Sequence, residues 1–298
     1  MPNTPDDTTG PNPASGAPAD PGSQPWLGGA VGEEAFCVLA GNPGPMTLDG
    51  TNTWILSAPG SAEAVVVDPG PDNEMHLRAV LEAVRARGVE VVQTLLTHGH
   101  SDHSAAARTF AQLTSAPVRA LDPAHRYGGE GLQDGDVIQA EGLRLEVVAT
   151  PGHTTDSLSF LVPQSRMLLT GDTILGRGTT VVAHPDGRLY SYLASLERLG
   201  ELSGSAELTH LLPGHGPVLG QPGLVVDHYL KHRRERLEQV RTAVQAGART
   251  AREVVKVVYA DVPRAVRPAA ELSVRAQLEY LGVPDPEQPR GWRRILGR

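Results

Sequence analysis

Apolar and polar positions along this chain change period several times, and each change marks an element. The first 24 residues hold almost nothing apolar. Pro, Gly, Asp and small residues dominate there and cannot bury enough surface to offset the entropy of ordering, so a disordered tail is expected over 1–25. Short apolar runs at 35–39, 53–56 and 64–67, separated by Gly- and Pro-rich turns, predict an opening β-meander closed by Asp68-Pro69-Gly70. Asn73 can cap a helix running to about residue 87, because Met75, Ala79 or Val80, Ala83 and Val84 recur at helical spacing and Gly88 supplies the stop. A strand-length run at 91–96 then leads into an alanine-rich segment after Ser101, which can enter a helix that ends before Pro117. From 118 to 169 short alternating segments return, 143–148 and 157–162 among them. This order suggests two βαβ-like halves facing each other, and periodicity alone supports α/β or α+β.

Beyond about residue 220 the strand signal fades. One long amphipathic helix is expected over 224–246, Thr250 caps a second through 259, and a third near 269–281 places Val274, Leu278 and Leu281 on one stripe. With the WRRIL segment at 292–296 as a short strand, 221–298 looks like a small winged-helix domain following a main domain at 26–220. No internal repeat is visible.

Composition sharpens this outline. With 298 residues, 40% hydrophobic and only 4% aromatic, the chain can bury a sizeable, mostly aliphatic core. The single Cys37 excludes an intramolecular disulfide framework and reads as a small buried apolar residue. No stretch is long or apolar enough to span a membrane and the start lacks a secretory pattern, so a cytoplasmic location is expected. Charge divides the chain: 221–298 holds fifteen Lys plus Arg against nine Asp plus Glu, a balance of +6, while the remainder carries −14.

The chemistry concentrates at TLLTHGHSDHSAAA, residues 94–107, on the turn between a strand and a helix. His98, His100, Asp102 and His103 bring three imidazoles and a carboxylate into a few residues, donors suited to Zn²⁺ and its first-row neighbours. One turn cannot satisfy a metal alone. Three further candidates each follow an apolar run: His153 after LEVVATPG, Asp172 after RMLLTG and His215 after LTHLLPG. In a layered α/β domain such strand ends can gather along one edge. Any one of these histidines would ordinarily be a hydrogen-bonded structural residue; seven such donors at the ends of successive runs point to a metal site.

This array resembles the metallo-β-lactamase superfamily over roughly residues 36 to 218. Within it, NPGPMTLDGTNTWIL at 42–56, GDTILGRGTT at 171–180, LYSYLASLERL at 189–199, PGHGP at 213–217 and HYLKHRRERLEQV at 228–240 resemble the β-lactamase-like protein 2 group. The resemblance implies a four-layer αββα sandwich with a small C-terminal helical winged-helix domain. It also implies a dinuclear zinc hydrolase, and characterised members of that group cleave single-stranded RNA. His98, His100 and His153 would then hold one Zn²⁺, Asp102, His103 and His215 the second, with Asp172 bridging. Zinc lowers the pKa of bound water from about 16 to about 7, so no protein nucleophile is needed, and Asp102 is the candidate catalytic residue that orients the attacking hydroxide. The one departure is Ser104-Ala105-Ala106, where relatives often carry a glycine pair.

Three readings follow from different classes: a phosphodiesterase acting on single-stranded RNA, a glyoxalase II-like thioesterase (hydroxyacylglutathione hydrolase) or lactonase acting on a small-molecule ester or thioester, and a nucleic-acid-binding module with a vestigial metal site. A true β-lactamase is a weaker match because such enzymes typically lack the bridging aspartate. A β-CASP-type nuclease would need a large insertion between Asp172 and His215. Lys231, Arg233, Arg234 and Arg236 are expected to form one basic helix face, either a solvated surface or, given the charge asymmetry along the chain, one that tracks a phosphate backbone. His184 reads as an exposed turn residue or a catalytic one, with His184, Tyr190 and solvent all open as the leaving group's proton donor. Tyr190 and Tyr192 otherwise read as core or rim, Thr51, Asn52 and Thr53 as a turn before a strand that the resemblance places near the site, and His76, His125 and His210 as structural or surface residues.

Overall fold

Strands that read as apolar on both faces need cover on both, and the chain supplies it as four layers. The computed structural model describes residues 25–260 and 262–287. The expected tail, except for its last residue, and the WRRIL strand lie outside that range.

Two six-stranded sheets pack face to face. The first comprises β1 (Gly29–Val31), β2 (Ala35–Leu39), β3 (Asn52–Leu56), β4 (Glu63–Val67), β5 (Glu90–Leu95) and β6 (Val118–Arg119), in that spatial order. The second comprises β7 (Val137–Ala140), β8 (Leu143–Ala149), β9 (Leu158–Val162), β10 (Met167–Gly171), β11 (His210–Pro213) and β12 (Leu219–Gly220), likewise in sequence order across the sheet. Alternation divides each strand between two cores. Trp54, Leu56, Val65 and Val67 meet Leu145, Val147, Phe160 and Leu169 between the sheets. Ile55, Ala64 and Val66 face outward under α1 (Glu74–Ala86) and α3 (Ala107–Thr114), whose Leu77, Val80, Val84 and Phe110 cover them. Leu161, Leu168 and Leu211 lie under α4 (Leu189–Ser205) and α5 (Pro222–Gln245), which contribute Tyr192, Leu196, Leu199, Val226 and Tyr229. The αββα sandwich expected from the resemblance is the observed fold.

Two expectations change in detail. The halves are not mainly βαβ units: β1 to β4 and β7 to β10 are antiparallel meanders, and parallel pairing is confined to β4–β5, β5–β6 and β10–β11. The helix expected after Ser101 is broken into α2 (Ser101–Ser104) and α3. Gly70, in the turn after β4, explains the break. Its amide donates to the His103 carbonyl and its carbonyl accepts from the Ala106 amide, both at 3.1 Å, so groups that a continuous helix would use internally are tied to the neighbouring turn.

Asn73 caps α1 as expected, accepting from the amides of Met75 and His76. C-terminally, α5, α6 (Ala251–Val258) and α7 (Arg267–Tyr280) match the three expected helices, with Val240, Val254, Val255, Val274 and Leu278 in a core of their own.

Candidate metal centre

The turn after β5 carries His98 and His100, α2 carries Asp102 and His103, and loops after β8, β10 and β11 carry His153, Asp172 and His215 to the same edge. All seven donors predicted from sequence meet there. A backbone bond from the Leu158 amide to the Thr97 carbonyl, 2.7 Å, joins the two sheets at this edge. The Asn52 side chain holds the His215 turn by donating to the carbonyls of Pro213 and Gly216. Gly214 is needed for space: a Cβ there would lie 2.5 Å from Asp172 Oδ1 and 2.8 Å from His103 Cε1.

Donor atoms fall into three overlapping groups, His98 with His100 and His153, Asp102 with His103 and His215, and between them His98 with His103 and Asp172, each within 4.8 Å. His100 Nδ1 lies 3.0 Å from both His98 Nε2 and His153 Nε2. In the second group, His215 Nε2 is 3.3 Å from His103 Nε2 and 3.2 Å from Asp102 Oδ2. Asp172 touches both groups: Oδ2 is 3.6 Å from His153 Nε2 and 3.4 Å from His215 Nε2, and Oδ1 is 3.5 Å from His103 Nε2. A tetrahedral zinc with bonds of about 2.0–2.1 Å places neighbouring donors about 3.3 Å apart, so the cluster has the spacing that such ions require. Asp172 Oδ1 is also buried without a hydrogen-bond donor among the described residues. A buried carboxylate oxygen left so is costly unless a cation satisfies it.

In four of the five histidines the ring nitrogen facing away from the cluster is anchored. His98 Nδ1 meets Thr97 Oγ1 at 3.0 Å, His103 Nδ1 meets Asp68 Oδ2 at 2.8 Å, His153 Nδ1 meets the Val181 carbonyl at 2.7 Å and His215 Nδ1 meets the Gly50 carbonyl at 3.1 Å. Such outer partners fix tautomer and ring orientation at metal sites. Burial alone would lower every one of these imidazoles, and His98 and His153 do lie below their ordinary value. At His103 the Asp172 and Asp68 carboxylates outweigh burial and hold it well above, and at His215 Asp172 and Asp102 push it up to about 9. Burial opposes ionisation of Asp102 and Asp172, yet the surrounding histidines hold both below the ordinary carboxylate range.

Sequence reasoning missed several supporting residues. Asp68, read as a turn residue, is buried and accepts from Thr97 N and Oγ1 as well as meeting His103. Asn42 brackets Thr51, whose hydroxyl donates to Asp102 Oδ2 at 3.1 Å. Thr53 and His76 form a buried pair behind this turn, so His76 is structural. His125 is nearer the metal turn than expected: a Cβ on Gly99 would lie 2.6 Å from His125 Nε2 and 3.2 Å from Asp156 Oδ2. His210 stays exposed at a strand start.

Three other expectations are corrected or divided. His184 is buried rather than exposed, its amide bonded to the Leu272 carbonyl and its ring 4.0 Å from Glu279. Tyr192 is core, donating to the Thr173 carbonyl, whereas Tyr190 is exposed. The basic residues of α5 do not form one face. Lys231 pairs with Glu235 and Arg234 with Glu197 in solvent, Arg236 donates to the Val258 carbonyl and stacks on Tyr259, and Arg233 is buried. At about 100° per residue, positions 231 and 233 point about 160° apart, which is why.

A two-sheet sandwich with helices outside and seven histidine and aspartate donors at one edge defines the class. Residues 46–215 match the metallo-beta-lactamase superfamily, and residues 250–282 match the beta-lactamase associated winged helix domain. The chain is 33% identical to the beta-lactamase-like protein 2 homolog of Caenorhabditis elegans, covering 82% of each, and 31% identical to that of Drosophila melanogaster, covering 82% of this chain and 86% of the relative. It is 30% identical to the atrochrysone carboxyl ACP thioesterase of Aspergillus fumigatus over 76% of this chain and 73% of that one. In fold it is similar to a metallo-beta-lactamase family protein from Thermus thermophilus, with a TM-score of 0.69 at 22% identity, covering 84% of this chain and 93% of that one. A beta-lactamase domain protein from Burkholderia ambifaria gives a TM-score of 0.71 at 22% identity over 90% of each. The chain belongs to the metallo-beta-lactamase superfamily of hydrolases.

Proposed function

We propose that this protein is a dinuclear zinc hydrolase that cleaves phosphodiester bonds in single-stranded RNA. The observation that carries the dinuclear part is Asp172, whose two oxygens reach donor atoms of both histidine groups. His98, His100 and His153 would hold one ion, Asp102, His103 and His215 the other, and Asp172 both. The ions would supply an acidified water at neutral pH and positive charge to stabilise the attacked group. The chain's own residues do the positioning. Asp102 is partly open to solvent, ionised and held by the Thr51 hydroxyl, which suits it to accept a hydrogen bond from that water and so orient it.

Support for RNA comes from charge: the sequence after residue 220 carries +6 against −14 for the remainder, and Arg249, Lys256 and Arg264 on and around α6 add basic groups past α5. A second reading, thioester hydrolysis, is favoured by the 30% identity to a fungal thioesterase. Zinc-loaded protein assayed on single-stranded RNA and on an acyl thioester separates them. RNA cleavage that stops on chelation, fails in Asp172→Ala and weakens steeply between about 50 and 200 mM salt is the expected result. Efficient thioester hydrolysis with RNA left intact would put the second reading first.

A further inference from the structure

One helix face contacts the loop between β10 and α4 at two points, one close to Asp172 and one at the residues that hold His153. In α5, Tyr229 and Arg233 are one turn apart and both buried. The Tyr229 hydroxyl accepts from the Leu175 amide at 2.9 Å and donates to the Leu175 carbonyl at 3.2 Å, closing the loop that begins at Asp172. Arg233 donates through Nη2 to the Thr180 carbonyl, and its guanidinium lies 4.9 Å from the centre of the Tyr192 ring. Thr180 and Val181 are the residues that hold His153: the Thr180 hydroxyl is 3.2 Å and the Val181 carbonyl 2.7 Å from His153 Nδ1. The chain of contacts from α5 to a ligand is therefore two links long.

The energetics argue for more than packing. Arg233 is only 5% exposed, its Nε has no acceptor, and no carboxylate pairs with it among the described residues. A buried guanidinium satisfied by a carbonyl and a ring face costs stability compared with an apolar residue of similar size. What it supplies instead is a rigid, forked donor that fixes one carbonyl in place.

We infer that Arg233 is a positioning residue for the metal centre: by holding the Thr180–Val181 segment, it fixes the tautomer and direction of His153 and so sets the affinity of the His98, His100 and His153 group for its ion. This rests on the zinc reading above. It gives the C-terminal helical segment a role at the metal site independent of any nucleic acid, and it predicts an effect confined to one of the two ion sites.

The test isolates each group. His215→Ala leaves the His98, His100 and His153 group, and His98→Ala leaves the Asp102, His103 and His215 group. Zinc affinity is measured in both backgrounds by chelator competition, with and without Arg233→Ala, alongside the unfolding midpoint in excess chelator. The expected result is a loss of roughly 10–100-fold in the first background, the size seen when outer partners of a metal ligand are removed, and little change in the second. Arg233→Lys, which keeps the charge and one donor but not the fork, should recover part of the loss. It also serves as the comparison if the alanine variant does not fold. Equal losses in both backgrounds would assign Arg233 to general stability and overturn the inference, as would unchanged affinity in both. Wild-type protein that fails to bind two ions would instead overturn the zinc reading, a distinct outcome.

Discussion

Asp68 does at the residue scale what no local pattern could announce. It leaves β4 with a positive φ of 53°, and its carboxylate gathers three donors, Thr97 N, Thr97 Oγ1 and His103 Nδ1, at 2.7–2.8 Å. An amide in its place would keep one acceptor oxygen and turn an NH₂ toward another donor. Asp68→Asn is therefore expected to lower zinc affinity roughly 10–100-fold while leaving the fold intact, since the exchange is isosteric. Chelator competition checks it, and an unchanged affinity would remove Asp68 from the site. The seven donors themselves were legible because four lie within six residues and the others follow apolar runs. Asp68 was not, because its partners are 29 and 35 positions away, and Arg233 lies 53 positions from Thr180. Only folding makes those pairs neighbours, and a turn aspartate or a helix arginine looks the same with or without them.

Elements were legible where their signals are local. Thr250 and Glu253 form a reciprocal capping box in the structure, with the Thr250 side chain accepting from the Glu253 amide and the Glu253 carboxylate accepting from the Thr250 amide. α6 spans eight residues, too short to persist on propensity alone, so the cap and the apolar stripe of Val254 and Val255 must hold it. Thr250→Ala should cost about 1 kcal/mol, read as a lower denaturant midpoint at unchanged slope. A change within about 0.2 kcal/mol would mean that tertiary packing alone fixes this helix. The break between α2 and α3 shows the limit of local signals. Nothing in SDHSAAAR forbids a continuous helix, and it is Gly70, thirty-one positions before Ser101, that ends the first turn. The split basic face of α5 is different in kind: helical geometry already separates Lys231 from Arg233, so that reading came from clustering in sequence rather than position around the axis.

At the scale of the whole molecule, stability and the proposed metal binding meet at the edge shared by both sheets. His103 comes from the first sheet and His215 from the second, and in the protein without bound metal their rings are charged partners of Asp102 and Asp172. His215, pushed up to about 9 from an ordinary value of 6.5, holds its proton more tightly when folded than when unfolded. Its contribution to stability is thus fully present below pH 6.5 and is lost as pH rises through about 9, by at most roughly 3 kcal/mol. Metal reverses the sign. A ligating imidazole must shed its proton, so zinc affinity climbs over the same interval, and a ligand that binds only the folded chain stabilises it by an amount that grows with the logarithm of its concentration relative to Kd. Chemical unfolding from pH 6.5 to about 9 in excess chelator should therefore show falling stability, while the zinc-saturated protein should gain on it at every step. Parallel curves under the two conditions would show that His215 does not exchange its proton for a metal ion, and would count against its place in the site.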